Sequence, residues 1–462
     1  MPPRDRGLRA GARDSERSGE LATLGAGQRS GAPGCLSNNC WLKRVRSTRW
    51  PSMDVRGFRF SGAAAGIKKD GALDVGLLVA DEPAVAAAVF TRNIVRAHPV
   101  HISEERVLSG RAQACLVNSG NANACNGEPG RVAALSTSAE LAALLGIDPA
   151  LVLPSSTGVI GQPLPAEKIS QALPALTASL SAEGAQQFAE AIRTTDRWTK
   201  IASTVVTEGD REARFLAIGK GAGMYHPDLA PAGQLPSADG SHFDDLDLGG
   251  LHATMLVYIV TDAASDAETL RSCLFAGVDS TFNASTVDGD TSTNDSVTLL
   301  ASGKSGVTLN EEQLTVALKE VCGELARSMV RDGEGAEHVV TILVSGLQND
   351  AEARDVARVI ATSPLVKTAI AGKDANWGRL LMAAGRAGIP FDPSGASIHI
   401  GGVCICEHGL PKSEADDQLA CEQMRAENYT IDVSLGEGPG TFSYLTSDLG
   451  HGYVDVNAGY RS

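Results

Sequence analysis

Aromatic residues are scarce, at 4% of 462 positions, so stacking platforms for nucleic-acid bases are not expected. Basic charge is in deficit: 40 Lys and Arg stand against 55 Asp and Glu, a formal net charge of −15. An acidic surface opposes non-specific binding to nucleic acid and to anionic membranes. No apolar run approaches the roughly 20 residues of a membrane-spanning helix. Paired cysteines are missing as well. Nine are scattered from Cys35 to Cys421, an odd number that makes no disulfide framework and fits a reducing compartment. Cys404 and Cys406 form a CxC near His408, which is not a zinc spacing. They read as residues of one strand, SIHIGGVCICEHG, and no metal site is expected. A G-x-S-x-G elbow is absent. GKGAG (219–223) lacks the third spacing and later acid of a dinucleotide fingerprint. GEGPG (436–440) has no helix pattern after it and reads as a hairpin turn. DGDTSTND (288–295) lacks the glutamate that closes a calcium loop.

What is present is a chain that is 43% hydrophobic, enough for one large or two ordinary domains. Residues 1–52 differ from the rest. They carry ten basic and four acidic residues and no hydrophobic period, and read as a disordered tail. A transit peptide is one reading, although Asp5, Asp14, Glu16 and Glu20 oppose it. A mis-called start, with Met53 as the true one, is the other. The compartment follows: cytoplasmic, or plastid or mitochondrion if the tail is a transit peptide. From residue 54, short β-type runs alternate with helical ones. GLLVADE (76–82) and AVAAAVFT (84–91) read as strands flanking a turn, and residues 131–146, 182–195, 266–278, 311–333, 350–362 and 378–387 have helical spacing. The last strands are placed around GEGPGTF and GYVDVN. The pattern is α/β with α+β character, built on mixed and antiparallel sheets. Residues 228–252, rich in Pro, Gly, Ser and Asp, interrupt it and read as an insertion.

Thr254 opens the apolar run Met255, Leu256, Val257, Tyr258, Ile259, Val260, directly after Ala253. A threonine hydroxyl is a weak nucleophile and needs a base. No Ser/His/Asp set is evident. If the Ala253–Thr254 bond is cut, the new α-amine of Thr254 supplies that base. The hydroxyl itself can cut the bond by attacking the Ala253 carbonyl, with water hydrolysing the resulting ester. The small Ala253 leaves room, and the strand holds the hydroxyl in place. Alone, a threonine at a strand edge is equally an ordinary structural residue.

NSGNANACNG (118–127), SSTGVIG (155–161), TTD (194–196), KGAGM (220–224), ATMLVYIVTDAA (253–264), DGDTSTNDSV (288–297), GEGAE (333–337), AGKDANWGR (371–379) and NAGYRS (457–462) together resemble the ornithine acetyltransferase (glutamate N-acetyltransferase) family, in the same order across 54–462. The resemblance implies a self-processing acetyltransferase-type fold. Cleavage between Ala253 and Thr254 would give an α chain (54–253) and a β chain (254–462), assembled as a heterotetramer of two of each. It implies acetyl transfer from N-acetylornithine to glutamate through acetyl-Thr254, giving ornithine and N-acetylglutamate for arginine biosynthesis. Thr157 and Gly158 match the oxyanion hole. Thr194, Lys220, Thr254, Glu334, Asn457 and Ser462 match substrate-binding positions. No cofactor is implied, and use of acetyl-CoA as a co-substrate is left open. Lys220 and Thr254 are 34 positions apart, further than in the family, because the 228–252 insertion separates them. Two other readings stay open: a self-processing aminopeptidase or amidase with the same threonine, and an unprocessed, non-catalytic relative.

Overall fold

The six residues from Leu256 to Thr261 are all buried, so the apolar run after Thr254 is a strand covered on both faces. The computed structural model describes residues 54–234 and 254–458. The 1–52 tail, Ala253, Ser462 and all but the start of the 228–252 insertion lie outside the described residues.

The strands, in chain order, are β1 Phe58–Ala63, β2 Val75–Thr91, β3 Arg111–Asn121, β4 Val152–Val159, β5 Lys200–Glu208, β6 Arg211–Lys220, β7 Leu229–Pro231 and β8 Leu256–Thr261. There follow β9 Ser285–Thr286, β10 Ser296–Ala301, β11 Val339–Gly346, β12 Ser397–Ile400, β13 Val403–Glu407, β14 Leu410–Pro411, β15 Asn428–Ser434 and β16 Gly438–Ser447. The helices are α1 His98–Val107, α2 Gly127–Leu145, α3 Ala166–Ala178, α4 Ala185–Ile192, α5 Ala267–Asp279 and α6 Glu311–Arg331. α7 Asp350–Ala361, α8 Pro364–Gly372, α9 Trp377–Gly385, α10 Glu414–Gln423 and α11 His451–Ala458 complete them. Among the described residues no helix is long and apolar enough to cross a membrane.

A nine-stranded sheet runs β4-β3-β2-β10-β8-β6-β5, with β1 and β7 also on β2. The expected turn between two strands at 76–91 is instead a break within the single strand β2. Its register against β3 shifts between Val79 and Ala84, where Asp81, Glu82 and Pro83 are exposed. Proline there removes a ladder donor, which suits a bulge. The sheet folds over at this point. Leu78, Ala80, Cys115 and Val117 of one half meet Leu256, Tyr258 and Val260 of the other in one buried cluster. The alternate residues face outward. Leu77, Val79 and Leu116 pack on α2 and α3 through Leu141, Leu173 and Leu176. Val257, Ile259 and Val297 pack on α5 and α6 through Leu274, Leu318 and Leu325. Period-2 alternation thus produces four layers: helices, half-sheet, half-sheet, helices.

The second sheet runs β14-β13-β12-β15-β11-β16-β9 and is covered by Val356, Ile360, Val366, Leu380 and Ala420 of α7 to α10. SIHIGGVCICEHG is a hairpin, because Gly401 and Gly402 both have positive φ and turn the chain. GEGPG does not close a hairpin: β11 lies between β15 and β16. GYVDVN lies on α11 and not on a strand. Helices α1, α3, α8 and α10 lie outside the segments expected to be helical, and Thr194 falls beyond the end of α4. The first residues of the expected insertion belong to the sheet, since β7 pairs with Val89 to Thr91 of β2.

Gly158 has φ +133°, and a Cβ there would overlap the Gly120 backbone across the β3–β4 pair. Gly158→Ala should therefore cost about 3 kcal/mol or more in urea unfolding. Gly209→Ala, at φ +61° with open space around it, should cost only about 1 kcal/mol. Equal losses would contradict the close-packing argument.

Candidate active site

Three strand ends meet between the two half-sheets. Thr157 lies near the end of β4, Lys220 closes β6, and Thr254 stands just before β8. Lys220 Nζ donates to the Thr254 carbonyl oxygen at 2.7 Å and to Thr157 Oγ1 at 3.2 Å. All three residues are buried. Burial pushes the Lys220 ammonium down, Asp196 pulls it back up, Lys200 lowers it again, and the net value is about 8. The lysine therefore ties the nucleophile candidate to the oxyanion-hole candidate and is enclosed by both.

The loop 287–295, passing from β9 in the second sheet to β10 in the first, completes the cluster. Ser292 Oγ is 2.8 Å from Thr254 Oγ1. Asp295 Oδ1 accepts the Met255 N–H at 2.8 Å, while Oδ2 is buried without a hydrogen-bond partner. Burial raises the Asp295 carboxyl, the Met255 and Ser292 N–H groups oppose this, and the result is about 7. Asn294 Nδ2 donates to Ala122 O at 2.7 Å and Ser156 O at 2.9 Å, joining this loop to NSGNANACNG and to β4.

The remaining candidates gather on the KGAGM backbone. Asp196 accepts the Gly221 N–H at 2.8 Å and the Thr194 N–H at 3.1 Å. Thr194 Oγ1 is buried and unpartnered. The Glu334 N–H donates to Ala222 O at 2.8 Å, and the Glu334 carboxylate fills the space a Cβ on Gly223 would need. Asn457 Nδ2 donates to Glu334 Oε2 at 3.0 Å. Asp288 accepts the Met224 and Tyr225 N–H groups at 2.6 and 2.8 Å, which holds Met224 at φ +42°. Thr194, Glu334 and Asn457 thus sit around the loop whose first side chain reaches Thr157 and Thr254.

The family model described as the ArgJ family matches residues 59–462. The "Arginine biosynthesis bifunctional protein ArgJ" of Thermosynechococcus vestitus is 42% identical over 436 residues, 88% of this chain and 97% of that protein. Its counterpart from Nitratidesulfovibrio vulgaris is 41% identical over 416 residues, 89% and 100% of the two chains. The chain belongs to the ArgJ family. It is an acetyltransferase of arginine biosynthesis. Among solved structures, bifunctional ArgJ of Bacillus halodurans aligns at 38% identity over 45% of this chain and 99% of that one, TM-score 0.42. Ornithine acetyltransferase from Mycobacterium tuberculosis, complexed with ornithine, aligns at 35% identity over 38% and 95%, TM-score 0.34.

Sequence reasoning missed the polar groups behind these residues. Ser292 and Asp295 lie in the stretch set aside as an incomplete calcium loop. Their signal is position: polar residues immediately before a largely apolar run, Val297 to Ala301, as Thr254 is before its own. Asp196, quoted within TTD, forms a buried ion triad. Lys200 Nζ donates to Asp196 Oδ1 at 2.6 Å and to Asp332 Oδ2 at 2.5 Å, and all three side chains are fully buried. Burial would raise the Asp196 carboxyl, but Lys200, Lys220 and the Gly221 N–H overcome this and hold it well below the ordinary carboxylate range.

Lys200→Met removes the one fully buried cation shared by Asp196 and Asp332, leaving Asp332 with the half-exposed Arg197, and should cost about 3 kcal/mol in urea unfolding. Because the Asp196 pKa is depressed in the fold, its contribution is complete above the unfolded value near 4 and is lost as pH falls further. Wild-type stability should accordingly decline below about pH 4, and Asp196→Asn should flatten that decline. An unchanged acid limb in the variant would count against the triad.

Proposed function

We propose that Thr254 is the acyl carrier of the reaction, freed by self-cleavage after Ala253, and that the acetyl group passes from N-acetylornithine to glutamate. The observation supporting this most directly is the Lys220 bridge between the Thr254 carbonyl and the Thr157 hydroxyl. Lys220 occupies an acceptor position on Thr157 Oγ1, so the Thr157 proton is free to point into the pocket. With the backbone N–H of Gly158 it forms the donor pair for a tetrahedral oxyanion. In the cleavage step, Thr254 Oγ1 attacks the Ala253 carbonyl carbon, the peptide bond breaks with the proton going to the Thr254 nitrogen, and water hydrolyses the ester. In the transfer step, the α-amine takes the hydroxyl proton as Oγ1 attacks the acetamide carbonyl. It then returns that proton to the departing ornithine nitrogen, leaving acetyl-Thr254. The glutamate amine attacks this ester, and Oγ1 recovers its proton.

Thr194, Lys220, Glu334, Asn457 and Ser462 are assigned to the substrate. Glu334 holds an ammonium group, with Asn457 orienting its carboxylate. We extend the reading to acetyl-CoA as a second donor: the relatives are called bifunctional, and a thioester is a more reactive acyl donor than an amide toward the same hydroxyl. The α and β chains derived from one precursor are assigned to one assembly, two of each.

Thr254→Val should run as a single band on a denaturing gel and lose at least about 10³-fold in transfer from N-acetylornithine to glutamate. Thr254→Ser should retain both activities in reduced measure. A cleaved or active Thr254→Val would end this reading. Glu334→Gln should raise KM for N-acetylornithine about 30-fold, since a hydrogen-bonded charge pair is worth about 2 kcal/mol or more. The pH profile of kcat/KM should be a bell. Its acid limb follows the Thr254 amine, which must be neutral and titrates near 8. Its alkaline limb follows Lys220, which must be charged and loses its proton at about 8. Lys220→Met should be slower and should lack the alkaline limb.

A further inference from the structure

Ser292 has no part in the steps above, yet its hydroxyl touches the reacting atom. Its surroundings fix its place and leave its proton available. The Asn294 N–H donates to Ser292 Oγ at 3.2 Å, filling an acceptor position. The Ser292 carbonyl accepts the Thr91 hydroxyl at 2.8 Å, which anchors the backbone to β2. Asp295 Oδ1 accepts the Met255 N–H at 2.8 Å, and the Asp295 carbonyl accepts the Thr91 N–H at 3.0 Å. Thr91 thus holds Ser292 and Asp295 in one register, and the Asp295 carboxylate fixes the residue after Thr254 against them. Ser292 is fully buried, so water does not compete for its hydroxyl.

An oxygen that attacks a carbonyl, and later leaves one, carries negative charge at both moments. A donor aimed at that oxygen stabilises both transition states. A side chain that only accepts would instead draw the Thr254 proton away from its base. With one of its two acceptor positions taken by the Asn294 N–H, the Ser292 hydroxyl keeps its proton free to donate to Thr254 Oγ1. Building on the assignment of Thr254 as nucleophile, we propose that Ser292 is a further catalytic residue, donating its hydroxyl proton to Thr254 Oγ1, and that Asp295 is the positioning residue that aligns the pair. The Ser292 O–H bond stays intact throughout. The Thr254 proton still travels to and from the α-amine, so the balance of the proposed steps is unchanged.

The test uses the full chain with Ser292→Ala, Ser292→Thr, Asp295→Asn and the Ser292→Ala/Asp295→Asn double variant, each checked by thermal melting. Self-cleavage is followed by intact mass, and transfer by release of ornithine. Ser292→Ala should slow kcat by about 10²-fold with KM for N-acetylornithine unchanged, and should slow cleavage in the same direction. Ser292→Thr, which keeps a hydroxyl, should recover most of kcat. Asp295→Asn should also lower kcat at constant KM. The double variant should be no slower than the worse single one, because both act through one contact. Wild-type kcat in Ser292→Ala, or kcat and KM failing together with no recovery in Ser292→Thr, would overturn the proposal. Additive losses in the double variant would overturn the role of Asp295. Thr254→Val is run alongside: if it is inert while Ser292→Ala is fully active, only the Ser292 inference falls, and if it is active the nucleophile assignment falls with it.

Discussion

A single buried ammonium organises this molecule. Lys220 projects from the end of β6 into the space between two half-sheets and is fully buried. Stripping water from a lysine costs several kcal/mol, so the charge stays there only with acceptors on several sides. Two come from separate segments, Thr157 on β4 and the Thr254 carbonyl before β8. Negative potential from Asp196, Asp295 and Glu334 supplies the rest. The cation thereby acts as a tie between layers that the hydrophobic cluster alone would press together without fixing their relative slide. Apolar contacts are non-directional; hydrogen bonds from one nitrogen to two named oxygens are not.

The sheet pattern explains why the tie falls where it does. β6 and β8 are antiparallel with Lys220 opposite Leu256, which places the lysine beside the residues preceding β8. β8 and β10 are parallel with Leu256 opposite Ser296. Parallel neighbours bring their entering ends together, so Thr254 and Met255 meet Ser292 and Asp295 without any long side chain. The other layer arrives through the fold in β2 at Asp81 to Pro83, which lays β3 and β4 over β8 and β10. Gly158 then permits an approach to the Gly120 backbone that a Cβ would block.

Much of this was legible in the chain, and the limits have physical causes. Long periodic segments declared themselves: α6 is a capped, amphipathic helix with Asn310 and Gln313 in a reciprocal cap. The doubly buried strands showed as short apolar runs. Topology did not show, because nothing local in GLLVADEPAVAAAVFT says whether Pro83 ends a strand or bends one. Nor does GEGPG reveal that β11 lies between β15 and β16. GYVDVN alternates like a strand, yet it is helical and half-exposed on α11. Thr157, Lys220 and Thr254 were named from motifs, and their convergence is a long-range fact that no motif contains. Ser292 and Asp295 were hidden for the opposite reason: a Ser, Thr and Asp-rich loop is the commonest kind of surface segment, and beyond its place before β10 it is burial that distinguishes this one.

That burial sets the character of the pocket. Lys220 and Asp295, drawn toward each other electrostatically, are shifted in opposite directions, to about 8 and about 7. Desolvation disfavours the charged form of each, so both lie within a short step of neutrality at working pH. A group near its own pKa adjusts its charge at little cost when a neighbour changes. Arrival of a substrate ammonium or carboxylate, or creation of a new α-amine at Thr254, is such a change. The ion triad of Lys200, Asp196 and Asp332 stands beside this pair with a different balance: Lys200, Lys220 and the Gly221 N–H outweigh burial and hold the Asp196 carboxyl well below its usual range. The fold thus sets a fixed electrostatic wall behind a titratable one. The fixed wall carries the KGAGM loop through the Gly221 N–H, and the titratable groups face the threonine.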